Sequence, residues 1–445
     1  MDARTRGTVP QQFRVESTEM LPLVLSIVLA QEPTFVATRY DMGERLKVLD
    51  VAWIQTPSKE RRTAAVKEVA AAVTGFFSGQ SSKACIALDK ARAALEGRSP
   101  SAADAVTLRF QESVVEPGSV AKLKATWAYQ PEDKATVRLA IAGTTVELAP
   151  GVTKEVEVKT SGLNPEGSRT SEFGILVPAM VGAQNRSVYL SVVRNYGARV
   201  AALKESSTPV VKPMLQLLEQ GSQETDVPLI DYLFTAEALQ EGRLKLEDLD
   251  HVPLASQGKS TFRIALPKTL KGKTGVEVTV VVGLHGAGGS ENLFFEGYGR
   301  GLAVKEALSR GWVFISPRAT STAVQDAADW IVQTRRLKVK HLFVMGHSMG
   351  GGLAFRAGSV TPKPAGLALF APAAGSAPKS SLDLPIFLSV GTEEMGALRG
   401  TAQSLSREFA DRSNFEYAEF SPCEHLMIVA DSLPRAYKFF DRFAK

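Results

Sequence analysis

The chain has 445 residues, of which 44% are hydrophobic and 22% charged, and these shares exclude a disordered or fibrous protein. The length allows two or three domains, one of which can bury a sizeable core. The net charge of +5 is spread along the chain without an RNA or DNA module, so we expect no nucleic-acid partner. Cys85 and Cys423 are far apart and predict neither a disulfide framework nor a metal site.

An apolar stretch near the N-terminus has the character of a signal peptide. Residues 20–33 read MLPLVLSIVLAQEP, and the Val28-x-Ala30 pattern suits cleavage after Ala30. The stretch is too short for a transmembrane helix, and we expect none. We interpret residues 1–30 as a signal-peptide region with Met20 as a candidate start. The protein is then secreted or periplasmic if translation starts near Met20, and cytoplasmic otherwise.

Residues 31–104 predict a helical N-terminal module. SKERRTAAVKEVAAAVTGFF and KACIALDKARAALEG carry alanine and valine at three- and four-residue spacing, and GQSS separates them. RSPS then ends the second helix. The pattern is typical of a helical hairpin over 58 to about 97 that serves as a small packing module.

Residues 105–198 change to alternating apolar and polar positions. Runs such as TLRFQESVVEPGSVAKLKATWAYQ and RSVYLSVVR are separated by Gly, Pro, Asn and Asp turns, which favours an immunoglobulin-like β-sandwich. This segment either packs as a spacer or binds a polymer or partner. Residues 199–250 are helical again, with VKPMLQLLEQ and DYLFTAEALQEGRLKLEDLD, and we interpret them as a helical linker.

Residues 251–445 alternate strands with helices and predict an α/β fold. Continuous apolar strands such as VEVTVVVGLHG, HLFVMG and LPIFLSVG alternate with helical segments such as AVQDAADWIVQTRR. This alternation indicates a mostly parallel sheet that is covered on both faces. Ligands of such sheets bind at the carboxyl ends of the strands, so the residues that follow each strand are the candidates for chemistry.

The strongest motif is GHSMGG, residues 346–351, which follows the strand HLFVM. Gly346-His347-Ser348-Met349-Gly350 matches G-x-S-x-G, the nucleophile elbow of a strand-to-helix turn. Glycines flank the serine because a Cβ at either position would collide in the tight turn. The pattern predicts an exposed Ser348 hydroxyl that acts as a nucleophile.

A serine hydroxyl needs a base and an acid that orients the base. In the order Ser, acid, His, only His425 lies after Ser348, and it follows the strand FEYAEFS. Glu394 is the preferred candidate for the acid and Glu393 is the alternative, because both follow the carboxyl end of the strand LPIFLSVG.

The loop LHGAGGS, residues 284–290, follows another strand and predicts backbone donors for a developing oxyanion. The candidate donors are the N–H groups of Ala287 and Met349, with Gly288 as the alternative to Ala287. A phosphate-loop function is disfavoured because the third dinucleotide glycine and the Walker lysine are missing. Phe294, Phe295 and Tyr298 follow this loop and either line a substrate pocket or pack in the core.

With LHGAGGS, GHSMGG, GTEEMG and CEHLMI in this order, residues 262–445 resemble the α/β-hydrolase superfamily, and within it the secreted esterases related to polyhydroxybutyrate depolymerases and feruloyl esterases. The resemblance implies a triad of Ser348, an acid and His425 that hydrolyses carboxylic esters through an acyl-enzyme, with no cofactor. The glutamate departs from the more common aspartate.

We expect the substrate to be a small ester or a polymer chain end, because about a dozen residues between GLALFAPA and LPIFLSVG leave no room for a large lid there. Two other functions stay open, a serine peptidase of prolyl-oligopeptidase type and a non-catalytic binding protein on a hydrolase scaffold. The oligomeric state does not follow from the sequence.

Overall fold

The structure is a computed structural model that describes residues 35, 37–163, 172–206, 211–245, 255–257, 260–375, 378–381 and 383–445. The predicted signal-peptide region at 1–30 lies outside these residues. Within the described ranges, no helix has both the length and the apolar character needed to cross a bilayer.

Helices form the first part of the described chain. Thr38 begins the first helix with a reciprocal cap, in which its N–H donates to Asp41 Oδ2 at 2.6 Å and its hydroxyl accepts from the Asp41 N–H. Gly97 ends the third helix in the left-handed region at φ 71°. The helices are α1 (Arg39–Gln55), α2 (Lys59–Phe77), α3 (Ser81–Glu96) and the short α4 (Ala102–Ala105).

Two sheets follow and enclose one apolar cluster, which contains Leu123, Leu139 and Leu190. The first sheet has the order β1-β3-β6 and the second has the order β2-β8-β7-β4-β5. Leu123 and Ala125 are buried and alternate with exposed lysines, as the sequence pattern predicts for a half-buried strand. The immunoglobulin-like relationship stays a prediction. The strands are β1 (Val106–Phe110), β2 (Val114–Val115), β3 (Val120–Trp127), β4 (Val137–Ile141), β5 (Thr144–Leu148), β6 (Lys154–Lys159), β7 (Phe173–Val181) and β8 (Gln184–Val192).

In the described part of the segment that the sequence indicates as a linker, the chain forms the helices α5 (Tyr196–Lys204), α6 (Val211–Gln220) and α7 (Leu229–Gln240). Leu203, Met214 and Leu233 are buried in the same cluster as Phe262 and Ile264 of the large sheet described next. These helices therefore contribute to the core as well as connecting the parts of the chain. The predicted module boundaries stay a prediction.

An eight-stranded sheet forms the C-terminal part, in the order β9-β10-β12-β11-β13-β14-β15-β16. From β12 through β16 neighbouring strands are parallel, whereas β10 is antiparallel to β9 and β12. The predicted mostly parallel sheet is confirmed. Because β11 lies between β12 and β13, the order reverses at β11, and the carboxyl ends at such a switch point form a crevice. The strands are β9 (Ala255–Gln257), β10 (Ser260–Ala265), β11 (Glu277–Leu284), β12 (Val313–Pro317), β13 (Lys338–His347), β14 (Gly366–Phe370), β15 (Ile386–Gly391) and β16 (Phe415–Phe420).

Helices cover both faces of this sheet. The helices are α8 (Leu293–Glu296), α9 (Tyr298–Ser309), α10 (Ala323–Asp329), α11 (Met349–Phe355), α12 (Gly396–Glu408) and α13 (Ile428–Asp441), and a π-helical turn covers Trp330–Thr334. Trp53 of α1 and Val69 of α2 belong to the same apolar cluster as Phe343 of β13 and Tyr437 of α13. The N-terminal helices thus share a core with one face of the large sheet.

Candidate active site

Ser348 lies on a sharp turn between β13 and α11, with φ 54° and ψ −119°. This is the left-handed conformation that a nucleophile elbow imposes on its serine. A Cβ on Gly346 would lie 2.2 Å from the carbonyl oxygen of Gly350, and a Cβ on Gly350 would lie 2.2 Å from that of Leu284. Both neighbours are backbone and cannot move aside, so the turn accepts only glycine at these two positions.

His425 and Glu394 form a buried pair beside the elbow. His425 Nδ1 lies 2.9 Å from Glu394 Oε1 and 3.1 Å from Oε2. His425 follows β16 and Glu394 follows β15, and both residues are buried. The side chain of Glu393 is exposed. A carboxylate at Nδ1 holds the proton on that nitrogen and leaves Nε2 as the basic atom.

Ser348 and His425 line the same cavity. The hydrogen bonds among the described residues do not include one between the Ser348 hydroxyl and His425 Nε2. Contacts of this kind are often long without substrate and shorten when the substrate binds.

The loop after β11 runs directly beside the serine. A Cβ on Gly286 would lie 3.4 Å from Ser348 Cβ. The Ala287 N–H donates to no backbone carbonyl within the described part of the chain. Met349 is the first residue of α11, where an N–H has no partner inside the helix. Ala287 lines the same cavity as Ser348, and Met349 is the next residue along the chain. Gly288, the alternative donor, has φ 77° and its carbonyl accepts a hydrogen bond from Arg39.

Residues 313–415 match the model of a family described as serine aminopeptidase, S33. The matched segment contains Ser348 and Glu394 and ends before His425. Together with the sheet order and the serine on its left-handed turn, this match decides the fold. The C-terminal part of the chain has the α/β-hydrolase fold.

Several solved structures of hydrolases are similar to this α/β-hydrolase part. They include the siderophore hydrolase EstA from Aspergillus nidulans, with a TM-score of 0.36 and 13% identity over 44% of this chain and 96% of that chain. A dienelactone hydrolase from Anabaena variabilis has a TM-score of 0.34 and 17% identity over 43% and 97%. The esterase Est2 from Thermogutta terrifontis has a TM-score of 0.35 and 15% identity over 43% and 91%. No curated protein is significantly similar to the chain.

A chain of hydrogen bonds connects the loop after β11 to the loop that carries His425. His347 Nε2 lies 2.7 Å from the carbonyl oxygen of His425, so this nitrogen carries the proton and donates it. Tyr298 Oη lies 2.7 Å from His347 Nδ1 and accepts the Gly286 N–H at 3.3 Å. Burial holds the pKa of His347 well below the usual range of histidine, so the ring is neutral and Nδ1 accepts from the tyrosine.

This chain of hydrogen bonds was not predicted from the sequence. The one sign in the sequence was the position of His347 directly before Ser348, which puts its side chain near the site. Its partner Tyr298 lies 49 positions earlier in the sequence. The geometry assigns Tyr298 to positioning the two loops.

The three aromatic residues predicted for a pocket lie in different surroundings. Phe294 is fully buried beside Gly283 and contacts Tyr298 edge to face. The Arg263 guanidinium lies over the Phe295 ring, 4.2 Å from the ring centre. Of the three, only Tyr298 lines the cavity at Ser348.

Two further buried carboxyl groups lie near the site. Glu424, directly before His425, accepts the N–H groups of Leu426 and Met427, and burial raises its pKa to about 7. Burial also raises the pKa of Asp50 of α1 to about 7, and Glu424 adds to this shift. Among the described residues, no group of three or more His, Cys, Asp or Glu side chains is arranged to hold a metal ion.

Proposed function

We propose that the protein is a serine hydrolase that cleaves carboxylic esters through an acyl-enzyme intermediate. Ser348 is the nucleophile, His425 the general base and Glu394 the acid that orients the base. The observation that carries this proposal is the 2.9 Å contact between His425 Nδ1 and Glu394 beside a serine held at φ 54°. The finer resemblance to esterases related to polyhydroxybutyrate depolymerases and feruloyl esterases belongs to the same proposal, as does export with Met20 as the start.

The proposed reaction has two steps. Ser348 Oγ attacks the ester carbonyl carbon while His425 Nε2 takes the hydroxyl proton, and the N–H groups of Met349 and Ala287 stabilise the oxyanion. The carbon–oxygen bond to the alcohol then breaks, and the alcohol leaves with the proton from Nε2. Water, deprotonated by His425, releases the acid from Ser348 in the second step.

The family match makes an aminopeptidase the second candidate. Such an enzyme binds the free α-ammonium group of its substrate, which calls for an unpaired carboxylate in the pocket. Among the described residues, the carboxylates that line the cavity are Glu224 and Glu296, and both already have arginine partners. Glu224 pairs with Arg39 at 2.5 Å, and Glu296 pairs with Arg263 at 2.8 Å. This pairing favours a neutral ester over a peptide with a free amino terminus.

Labelling with a fluorophosphonate probe tests the nucleophile. We expect covalent labelling of the wild type and none of Ser348→Ala, because only an activated serine attacks the phosphorus atom. Circular dichroism of both proteins controls for folding. Absence of labelling in folded wild type would contradict the proposal and favour a non-catalytic binding protein.

Turnover of p-nitrophenyl butyrate and of alanine p-nitroanilide separates the two candidate functions. We expect kcat/KM for the ester to exceed that for the free-amine amide at least 100-fold, because none of the described residues offers the ammonium group an unpaired carboxylate in the cavity. Faster cleavage of the anilide would support the aminopeptidase.

A further inference from the structure

A cavity of about 170 Å³ adjoins Ser348, and much of its wall comes from outside the α/β-hydrolase fold. One side is the loop Gly286–Ser290 together with His347, Ser348 and His425. The opposite side belongs to α1, α2 and α3. The apolar residues that line the cavity include Met42, Leu46, Val73, Phe76, Leu88 and Leu293.

The N-terminal helices are held against the site by specific contacts. A Cβ on Gly288 would lie 2.4 Å from the Phe76 ring, so the end of α2 packs directly on the loop Gly286–Ser290. Arg39 of α1 donates to the Gly288 carbonyl and pairs with Glu224, which also accepts from Ser290. Trp53 Nε1 donates to Asp431 of α13 at 3.1 Å. These contacts make the helices a fixed wall of the site.

The charged side chains that line the cavity have counterions. Apart from the His425 base, every Arg, Lys or Glu that lines the cavity has a counterion in the described structure. A charged ligand group would therefore lose its hydration without gaining a free counterion, so the cavity disfavours it. The pairs are Arg39–Glu224 at 2.5 Å, Lys47–Glu44 at 3.1 Å and Arg263–Glu296 at 2.8 Å.

We infer that α1–α3 form the apolar subsite of the enzyme and that it binds an uncharged hydrocarbon group of the ester, either the acyl chain or the alcohol. This inference rests on the proposed function. The size fits a short alkyl chain or one aromatic ring, since an apolar cavity of about 150 Å³ takes up benzene. The helices α1–α3, from the N-terminal part of the chain, thus cover the position that a lid inserted between β14 and β15 would otherwise cover.

Two substrate series locate the hydrocarbon group. In one, p-nitrophenyl esters carry acyl chains from acetyl to dodecanoyl; in the other, butyrate esters carry alcohols from methyl to octyl. In one series kcat/KM should rise about fourfold for each added methylene until the cavity is filled, as expected for burial of apolar surface. A flat profile in both series would overturn the inference.

Substitutions in α2 connect this profile to the helices. Val73→Phe fills the cavity, so the loss of kcat/KM should grow with chain length and reach at least tenfold for the longest substrates that the wild type prefers. Phe76→Ala enlarges the cavity and should move the optimum to longer chains. Thr74→Phe, on the exposed side of the same helix, serves as the matched control. An unchanged chain-length profile in folded Val73→Phe that still reacts with the fluorophosphonate would overturn the inference.

Binding to Ser348→Ala separates this inference from the proposed function. Calorimetric titration with 1-octanol and with octylammonium compares a neutral and a cationic ligand of one chain length without any turnover. We expect octanol to bind at least tenfold more tightly, and Val73→Phe in the same background to weaken it at least tenfold. Octanol binding that is absent, or unaffected by Val73→Phe, would overturn the subsite even if the ester hydrolysis is real.

Discussion

At the scale of single residues, the backbone of Ser348 is strained. Ser348 holds a backbone conformation that costs on the order of 1–3 kcal/mol for a residue with a Cβ. Neighbouring backbone groups hold it there, since its N–H donates to the Phe370 carbonyl at 3.0 Å and its carbonyl accepts from Ala373 at 2.8 Å. Glu394 and Glu393 differ in their surroundings, since Glu394 is buried and Glu393 is exposed. Adjacent side chains point in different directions, and only one of them contacts His425.

Replacing each glutamate in turn tests this assignment. We expect Glu394→Gln to lower kcat for p-nitrophenyl butyrate by about 10³- to 10⁴-fold, because the amide no longer holds the proton on His425 Nδ1. The matched control, Glu393→Gln, should stay within about twofold of the wild type. A larger loss from Glu393→Gln in folded protein would assign the acid to that residue.

At the scale of elements, a buried ion pair connects α1 to α3. Arg45 Nε lies 2.8 Å from Asp89 Oδ2, and both side chains are buried. Tyr129, which follows β3, donates to the same carboxylate at 2.8 Å, and Arg45 Nη2 donates to the Asp104 carbonyl at 3.0 Å. The pair thus joins the helices to the first of the two smaller sheets. Its removal leaves a buried charge without a partner.

Asp89→Ala should therefore lower the free energy of unfolding by about 3–5 kcal/mol, the usual cost of leaving one partner of a buried pair alone. Chemical denaturation followed by circular dichroism measures this change. Glu132→Ala removes the exposed partner of Lys90 and should leave the denaturation midpoint unchanged. An equal effect of the two substitutions would contradict the importance of the buried pair.

At the scale of the whole molecule, the N-terminal helices and the large sheet share one core. This shared core removes Asp50 and Glu424 from water, and the pKa of each carboxyl is raised to about 7. The unfolded chain releases the same protons near pH 4 to 4.5. Between these pH values the folded protein binds more protons than the unfolded chain, so its stability falls as the pH rises.

Glu424→Gln should make this pH dependence weaker. The contribution of one carboxyl is about 1.4 kcal/mol for each unit of pKa shift, and it is fully present below pH 4.5 and lost as the pH rises to about 7. Guanidinium denaturation at pH 5 and pH 8 measures the difference for the wild type, the variant and the exposed control Glu408→Gln. If the free energy of unfolding falls by the same amount between pH 5 and pH 8 in Glu424→Gln and in the wild type, the Glu424 carboxyl is not protonated in the folded protein at pH 5.

Short-range patterns in the sequence were sufficient for several features. The continuous apolar strands predict a sheet covered on both faces, because parallel strands bury both sides, and the structure has this sheet. The glycines around Ser348 predict the elbow, because a Cβ at Gly346 or Gly350 would strike the backbone. The order of Ser348, Glu394 and His425 along the chain places each at the carboxyl end of a strand. These inferences depend on periodicity and on steric limits within a few residues.

Long-range packing decided which segments surround the site. Nothing in the spacing of α2 indicates that Phe76 packs on Gly288, more than 200 residues later, or that Tyr298 donates to His347. A helical pattern shows which face of a helix is apolar but not which partner covers that face. The sequence by itself determined the strands, the elbow and the candidate catalytic residues, whereas only the tertiary structure decided what surrounds them, because that depends on contacts between segments that no local pattern connects.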